Sequence, residues 1–396
     1  MNKKNWVLAG LATVTLTLQA GCHSDESSFS KTIQSKSENL KPNGSETSES
    51  FINQSYRTEK VATFNEPWAM VDLPDGRFII TERKGALKIL NPDRKEIVNV
   101  SGLPQVSYGG QGGLGDIALH PNYVTNHWIY LSYAEIGKKN LDGAVVVRAE
   151  LDLTDPAKPT LKNIKRIWEQ VPKVEGQGHY SHRILFDDEA KLWISSGERQ
   201  QFTPAQDMKS NLGKILRLND DGTPALGNPF YDQGGVTAQI WSLGHRNPLG
   251  IAFDHKKQLW DVEMGPKGGD ELNLVVKGEN YGYPLVSNGD HYDGKVIPNH
   301  DTRPEFKAPA ITWTPVISPS SLIFYQGNAF PQWKNKALIS GLSSQSIVVV
   351  DVNQQPVKEV QRLNMGKRIR DIHQTKDGTI WVLEDEANAK LLKFSP

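Results

Sequence analysis

Gly176 to Glu198 reads GQGHYSHRILFDDEAKLWISSGE, and its second half decides the fold. Ile184 to Phe186 and Leu192 to Ser195 are short apolar runs, separated by Asp187, Asp188, Glu189 and Ala190. Strand formers on either side of a polar turn predict an antiparallel hairpin. The first half differs: Gly176 and Gly178 flank a polar turn that carries His179. The same order of strand, turn rich in Asp, Gly, Asn or Lys, and second strand with an aromatic residue recurs along the chain. It is found in PWAMVDLPDGRFIITER from Pro67, GLGDIALHPNYVTNHWIYLSYAE from Gly113 and PLGIAFDHKKQLWDVEMG from Pro248. Two more copies are SLIFYQGNAFPQWKNKALISGL from Ser321 and RDIHQTKDGTIWVLEDE from Arg370. With the copy at His182 there are six, and their starts fall roughly 45 to 75 residues apart. That period suits four-stranded propeller blades with added loops rather than solenoid repeats of about 20 to 35 residues.

Helical spacing is scarce beyond Cys22, and 34 glycines and 23 prolines punctuate the chain. The expected fold is all-β, a six-bladed β-propeller of four-stranded antiparallel blades. The last copy supplies only three strands, near Arg370 to Gln374, Ile380 to Glu384 and Leu391 to Phe394. Val61 to Phe64 is therefore expected to close the ring as the fourth.

The chain has 396 residues, 37% hydrophobic and 23% charged, with 45 basic residues balancing 45 acidic ones. No overall field draws in nucleic acid or an anionic membrane. Lys3 and Lys4 precede an apolar stretch, Trp6 to Leu18, that is too short to span a bilayer and reads as an export signal. Cys22, the single cysteine, follows Leu18, Gln19, Ala20 and Gly21 and resembles the lipidated cysteine of a bacterial lipoprotein; the alternative is plain secretion with a free thiol. Residues 1–21 are thus expected to be a signal peptide and 22–55, rich in Ser, Lys, Glu, Asn and Gln, a disordered tether. Residues 56–396 form the propeller. The expected location is outside the cytoplasm, periplasmic or outer-surface, with membrane contact only through Cys22.

Propeller ligands bind where loops converge on the central channel. Polar residues stand at corresponding points of the copies: Gln111, His179, Arg246 with Asn247, Ser318 with Ser320, and Arg368 with Arg370. His179 is the candidate proton acceptor, with a loop histidine as the alternative. His179 and His182 do not read as zinc ligands, because no helix places both on one face and no further Cys or His cluster accompanies them. Arg368 and Arg370 alternate, so a strand puts both guanidinium groups on one side, where they can grip carboxylates. Asp270, Glu271 and the turns around Gly265, Pro266 and Tyr281 offer the oxygen ligands that Ca²⁺ favours, or else a solvated acidic turn. GxGxxG at Gly110, Gly112 and Gly115 precedes a strand rather than a helix, so it is no dinucleotide fingerprint, and neither a P-loop nor GxSxG is present.

In order, QGGLGD (Gln111 to Asp116), HYSHR (His179 to Arg183), GHRNP (Gly244 to Pro248), Gly265-Pro266 with Asp270-Glu271, NYGYP (Asn280 to Pro284) and RIRD (Arg368 to Asp371) resemble the soluble quinoprotein glucose and aldose sugar dehydrogenases. These are six-bladed propellers that use pyrroloquinoline quinone (PQQ) and Ca²⁺, and the likeness runs from about Pro67 to Phe394. The resemblance implies oxidation of an aldose at C1 to a lactone, with His179 as general base and hydride passing to C5 of the quinone. It implies that Arg246 and Asn247 meet the quinone oxygens, that Gln111, Arg368 and Arg370 hold PQQ, and that Tyr292 lines its pocket. Carbonyls of Gly265 and Pro266 would bind the Ca²⁺ at PQQ, and Glu271 and Tyr281 a second, structural Ca²⁺. Electrons would leave to an external acceptor, since no CxxCH haem motif occurs. Two positions depart from the family: His182 stands where a small residue is usual, and Ser343 where some members carry a lysine that contacts PQQ. The competing readings are a Ca²⁺-dependent lactonase on a similar propeller and a noncatalytic binding propeller.

Overall fold

In the computed structural model, which describes residues 56–396, the repeated hairpins become six four-stranded antiparallel sheets. Residues 67–100, 114–169, 181–243, 248–313 and 319–364 form blades one to five, each with its strands paired in chain order. Blade six takes Ile369–Gln374, Ile380–Glu384 and Ala389–Ser395, and its outer strand is Arg57–Phe64. The register runs from Arg57 opposite Ser395 to Phe64 opposite Ala389, so the expected closing strand is present and longer than the sequence indicated. The expected signal peptide, Cys22 and the whole of the tether lie outside the described residues.

The hairpin of blade three is Ser181–Phe186 paired with Leu192–Ser196. Its acidic turn is tied down by Asp187. One carboxylate oxygen accepts the N–H groups of Glu189 and Lys191 at 2.9 and 2.8 Å, and the other accepts Trp193 Nε1–H at 2.8 Å. Second strands such as Leu192–Ser196 are buried at every residue because adjacent blades cover both faces. Ile184, Ile194 and Leu216 pack with Tyr130 and Val146 of blade two, each side chain contributing roughly 1.5–3 kcal/mol by leaving water. Outer strands such as Lys358–Asn364 are exposed or half-buried at all but one residue.

Every innermost strand carries a bulge at its start. The register slips between Pro67 and Ala69, Leu114 and Ile117, and Ser181 and Ile184. It slips again between Pro248 and Gly250, Pro319 and Ser321, and Ile369 and Asp371. A bulge bends its strand and re-aims side chains. Trp68, His182, Leu249 and Arg370 sit in these bulges and line one cavity of about 230 Å³ in the channel.

Arg183 crosses the channel beneath them. From blade three its guanidinium donates to Leu249 O and Ser320 O, both at 2.7 Å, and lies 3.2 Å from Asp116 Oδ1 and 3.4 Å from Asp371 Oδ1. It also lies 4.0 Å above the ring of Trp68. One side chain therefore meets all five other blades.

Candidate active site

The turn that enters blade three is strained: His179, Ser181 and His182 have φ of 47°, 57° and 54°. Such left-handed conformations cost non-glycine residues roughly 1–3 kcal/mol each and persist only where the surroundings impose them. Here Gln111 Oε1 accepts the His179 N–H at 2.8 Å, and Ser181 Oγ donates to Asn247 Oδ1 at 2.9 Å. Arg199, fully buried, donates to Gly178 O at 2.8 Å and stacks 3.8 Å above the ring of Tyr180.

His179 is 6% exposed, and its Nδ1 is hydrogen-bonded to Glu198 Oε1. The other oxygen of Glu198 accepts the Phe202 N–H at 2.7 Å. Burial pulls the imidazole pKa below its usual value; Glu198 opposes that pull, and Arg246 and Arg199 add to it. Burial alone would raise Glu198, but its bond to His179 and the Phe202 N–H hold it below the ordinary carboxylate range. The result is a neutral imidazole whose Nδ1 is committed and whose Nε2 has no protein partner among the described residues.

Arg246 and Asn247 follow the last strand of blade three and are set by one carboxylate, Glu263. Its Oε2 accepts both of their N–H groups, at 2.6 and 3.3 Å. The Arg246 carbonyl accepts the Glu198 N–H at 2.9 Å, which links this turn to the histidine pair. Arg246 Nη1 donates to Met264 O and Gly265 O at 2.8 and 2.7 Å. Arg246 Nε and Asn247 Nδ2 are buried donors with no hydrogen-bond partner among the described residues.

Arg368 and Arg370 do lie on one side, and both bind Asp385. Arg368 Nε donates to Oδ2 at 2.7 Å, and Arg370 Nε and Nη2 donate to Oδ1 at 2.9 and 2.7 Å. Burial alone would raise Asp385, but the two guanidiniums hold it below the carboxylate norm. Arg368, Arg370 and Asp385 line the channel cavity together with Gln111 and Arg83. Tyr292 does not join this group. It is 74% exposed at the tip of a turn in which Gly294 N–H bonds to His291 O and His291 N–H to Lys295 O. His291 packs on Phe202 instead, 5.5 Å between rings.

The expected metal ligands fall into two places. Gly265 O already faces a cationic donor, Arg246, and Pro266 follows it in the same buried turn. Glu271 faces Glu263 across Leu259–Glu263 and Asp270–Leu274, and Asp261 faces Asn273 on the same side. Asn273 Nδ2 donates to Asp261, Glu263 and Glu271 at 3.3, 3.0 and 3.3 Å. His245 Nδ1 lies 3.1 Å from Glu263 Oε1, and its ring stacks on Tyr281 at 4.6 Å. Burial and the charge of Glu263 push Asp261 and Glu271 well above the usual range, and Asp261 Oδ2 has no hydrogen-bond partner among the described residues. Three buried carboxylates around one amide and one imidazole are a donor set that fits a hard cation. The carbonyl of Tyr281 accepts His300 Nε2 at 3.0 Å.

Glu198, Glu263 and Asp385 position the predicted residues, and the sequence reading passed over all three. A signal was there: an acid stands at or just past the end of four second strands, at Glu82 in ITER, Glu198 in SSGE, Glu263 in DVEMG and Glu384-Asp385 in WVLED.

Fold and site together define a six-bladed propeller in which the starts of the innermost strands carry a carboxylate-held histidine, linked through Gln111 to a cavity walled by arginines. Residues 64–393 match the family model described as Glucose / Sorbosone dehydrogenase, and the chain belongs to that family. It is 38% identical over 340 residues to aldose sugar dehydrogenase YliI of Escherichia coli strain K12, covering 84% of this chain and 90% of that relative. It is 31% identical over 253 residues to quinoprotein glucose dehydrogenase B of Acinetobacter calcoaceticus, covering 57% of this chain and 52% of that one. The apo-form structure of the soluble aldose sugar dehydrogenase of Escherichia coli superposes with a TM-score of 0.82 at 36% identity, over 86% of this chain and all of that one. The PQQ-bound structure of an aldose sugar dehydrogenase from Streptomyces coelicolor gives 0.71 at 25% identity, over 86% of this chain and 99% of that one.

Proposed function

We propose that this protein is an exported, PQQ-dependent aldose dehydrogenase that oxidises the sugar at C1 to the lactone. The observation that carries the reading is the pairing of His179 with Glu198 in one hydrogen-bonded group with Gln111, Arg246 and Asn247. The PQQ bound by the Streptomyces relative supports the cofactor. Arginines at the cavity suit a tricarboxylic quinone. Bound there, PQQ would supply the two-electron acceptor for the hydride leaving C1, and Ca²⁺ a Lewis acid beside it.

Residues of this chain do the rest. His179 takes the proton of the C1 hydroxyl at Nε2 because Nδ1 belongs to Glu198, and the electron pair left on oxygen forms the carbonyl as hydride departs. Arg246 and Asn247, with free donors, orient the quinone oxygens, while Gln111, Arg368 and Arg370 hold the cofactor. Gly265 and Pro266 are assigned to the Ca²⁺ beside PQQ, and Glu271 and Tyr281 to a structural Ca²⁺, where Asp261 and Glu263 add charge. Arrival of an anion at Arg368 and Arg370 requires them to share their bonds with Asp385. The lactonase reading lacks support in the cavity: of its lining residues only Asp385 is a carboxylate, and both its oxygens are bound by arginine.

The test is to reconstitute the purified protein with PQQ and Ca²⁺ and to follow reduction of an artificial dye with a panel of aldoses. Turnover that needs PQQ, and that His179→Ala lowers by about 10²- to 10⁴-fold, is expected. Lactone hydrolysis without quinone, or ligand binding with no redox turnover, would overturn the reading. Export with lipid attachment at Cys22 is checked by fatty-acid labelling, which Cys22→Ser should abolish.

A further inference from the structure

The turn that holds His179 carries a second imidazole that the proposed reaction does not use. His182 is 2% exposed and stacks on Trp68, with ring centroids 5.2 Å and planes 11° apart. It has room only because residue 115 is glycine: a Cβ there would lie 1.9 Å from His182 Cε1. Hydrogen bonding fixes its tautomer. Ser132 Oγ, fully buried, accepts the Asp116 N–H at 2.8 Å and lies 2.7 Å from His182 Nδ1. The hydroxyl proton has no other acceptor among the described residues, so it goes to Nδ1, and the ring's own proton sits on Nε2. Burial and the adjacent Arg183 charge bring the imidazole pKa down to about 3, so the ring stays neutral. His182 lines the same cavity as Gln111, Arg368 and Arg370, and its Nε2 has no protein partner among the described residues.

We propose that His182 is a cofactor-binding residue of this chain, whose Nε2–H donates a hydrogen bond to an oxygen of the anionic quinone. The inference rests on the PQQ reading above. Because the donor is uncharged, its contribution does not titrate between pH 5 and 8.

The experiment is a calorimetric titration of the purified protein with PQQ in excess Ca²⁺, run on wild type, His182→Ala and His182→Gln, with melting temperatures of the unloaded forms alongside. His182→Ala should weaken binding by about tenfold, as expected for loss of one hydrogen bond to a charged ligand. His182→Gln, which keeps an N–H donor, should stay within about threefold of wild type. Wild-type affinity in a folded His182→Ala protein overturns the inference, whereas no PQQ binding by wild type overturns the functional reading beneath it. Should His182→Ala not fold, Ser132→Ala removes the tautomer lock and keeps the ring: several-fold weaker binding supports the inference, and unchanged affinity overturns it.

Discussion

Burial and Glu198 pull the basicity of His179 in opposite directions, and burial prevails. A base whose pKa lies below its usual value of 6.5 is unprotonated at neutral pH, so kcat/KM should be level above about pH 7 and fall only in more acid solution. Glu198→Gln removes the partner that raises this pKa. The acid limb should therefore move to lower pH, while kcat drops about 10- to 100-fold because the imidazole loses its orientation. A pH–rate profile of the two proteins checks both parts; an acid limb that moves upward would sink the assignment. His179, Arg246, Asn247 and Arg370 were legible because the chemistry-bearing residues recur at one point of the repeat. Tyr292 came only from family likeness and is not brought to the cavity, because its side chain tips a turn that Gly294 closes.

Strands and turns were readable because their signals are local: apolar runs, an Asp-rich tip, an aromatic on the second strand. Bulges were not. A bulge depends on which residue the partner strand presents opposite, and the slip at Ser181 is defined only against Ser196. Lys214 shows the same limit. Nothing near it in sequence marks the first residue of Lys214–Leu218 as buried, yet its ammonium donates to Pro204 O, Ala205 O and Leu212 O at 2.7, 3.0 and 2.8 Å. It fastens the loop that follows Glu198 and Phe202. Lys214→Met should cost about 2–4 kcal/mol by leaving those carbonyls without a donor, read from the midpoint of urea unfolding.

At the scale of the whole molecule, the number of blades and the closing strand could be read from the repeat, whereas Arg183 as a plug of the channel could not. Nothing local marks Arg183, because its partners lie on strands that begin far away in sequence, from Trp68 to Asp371. Arg183→Met should destabilise the protein by about 3–5 kcal/mol, because it leaves Asp116 and Asp371 buried without their countercharge. Arg183→Lys should restore only part of that loss, since one ammonium cannot reproduce a fork that serves several blades at once. Equilibrium unfolding of the three proteins measures this, and a loss under about 1 kcal/mol for Arg183→Met would show that the blades do not depend on the plug.

The pairing of Arg57–Phe64 with Ala389–Ser395 also sets a schedule for synthesis. Among the described residues, the first strand to leave the ribosome is the last to find its neighbour, so Arg57–Phe64 waits with an unpaired edge until Ala389–Ser395 is made. Five blades can form in order behind it, but the ring has no closed state before then. A stop codon at the start of Ala389–Ser395 would thus leave a chain with almost all of its sequence and none of its closure.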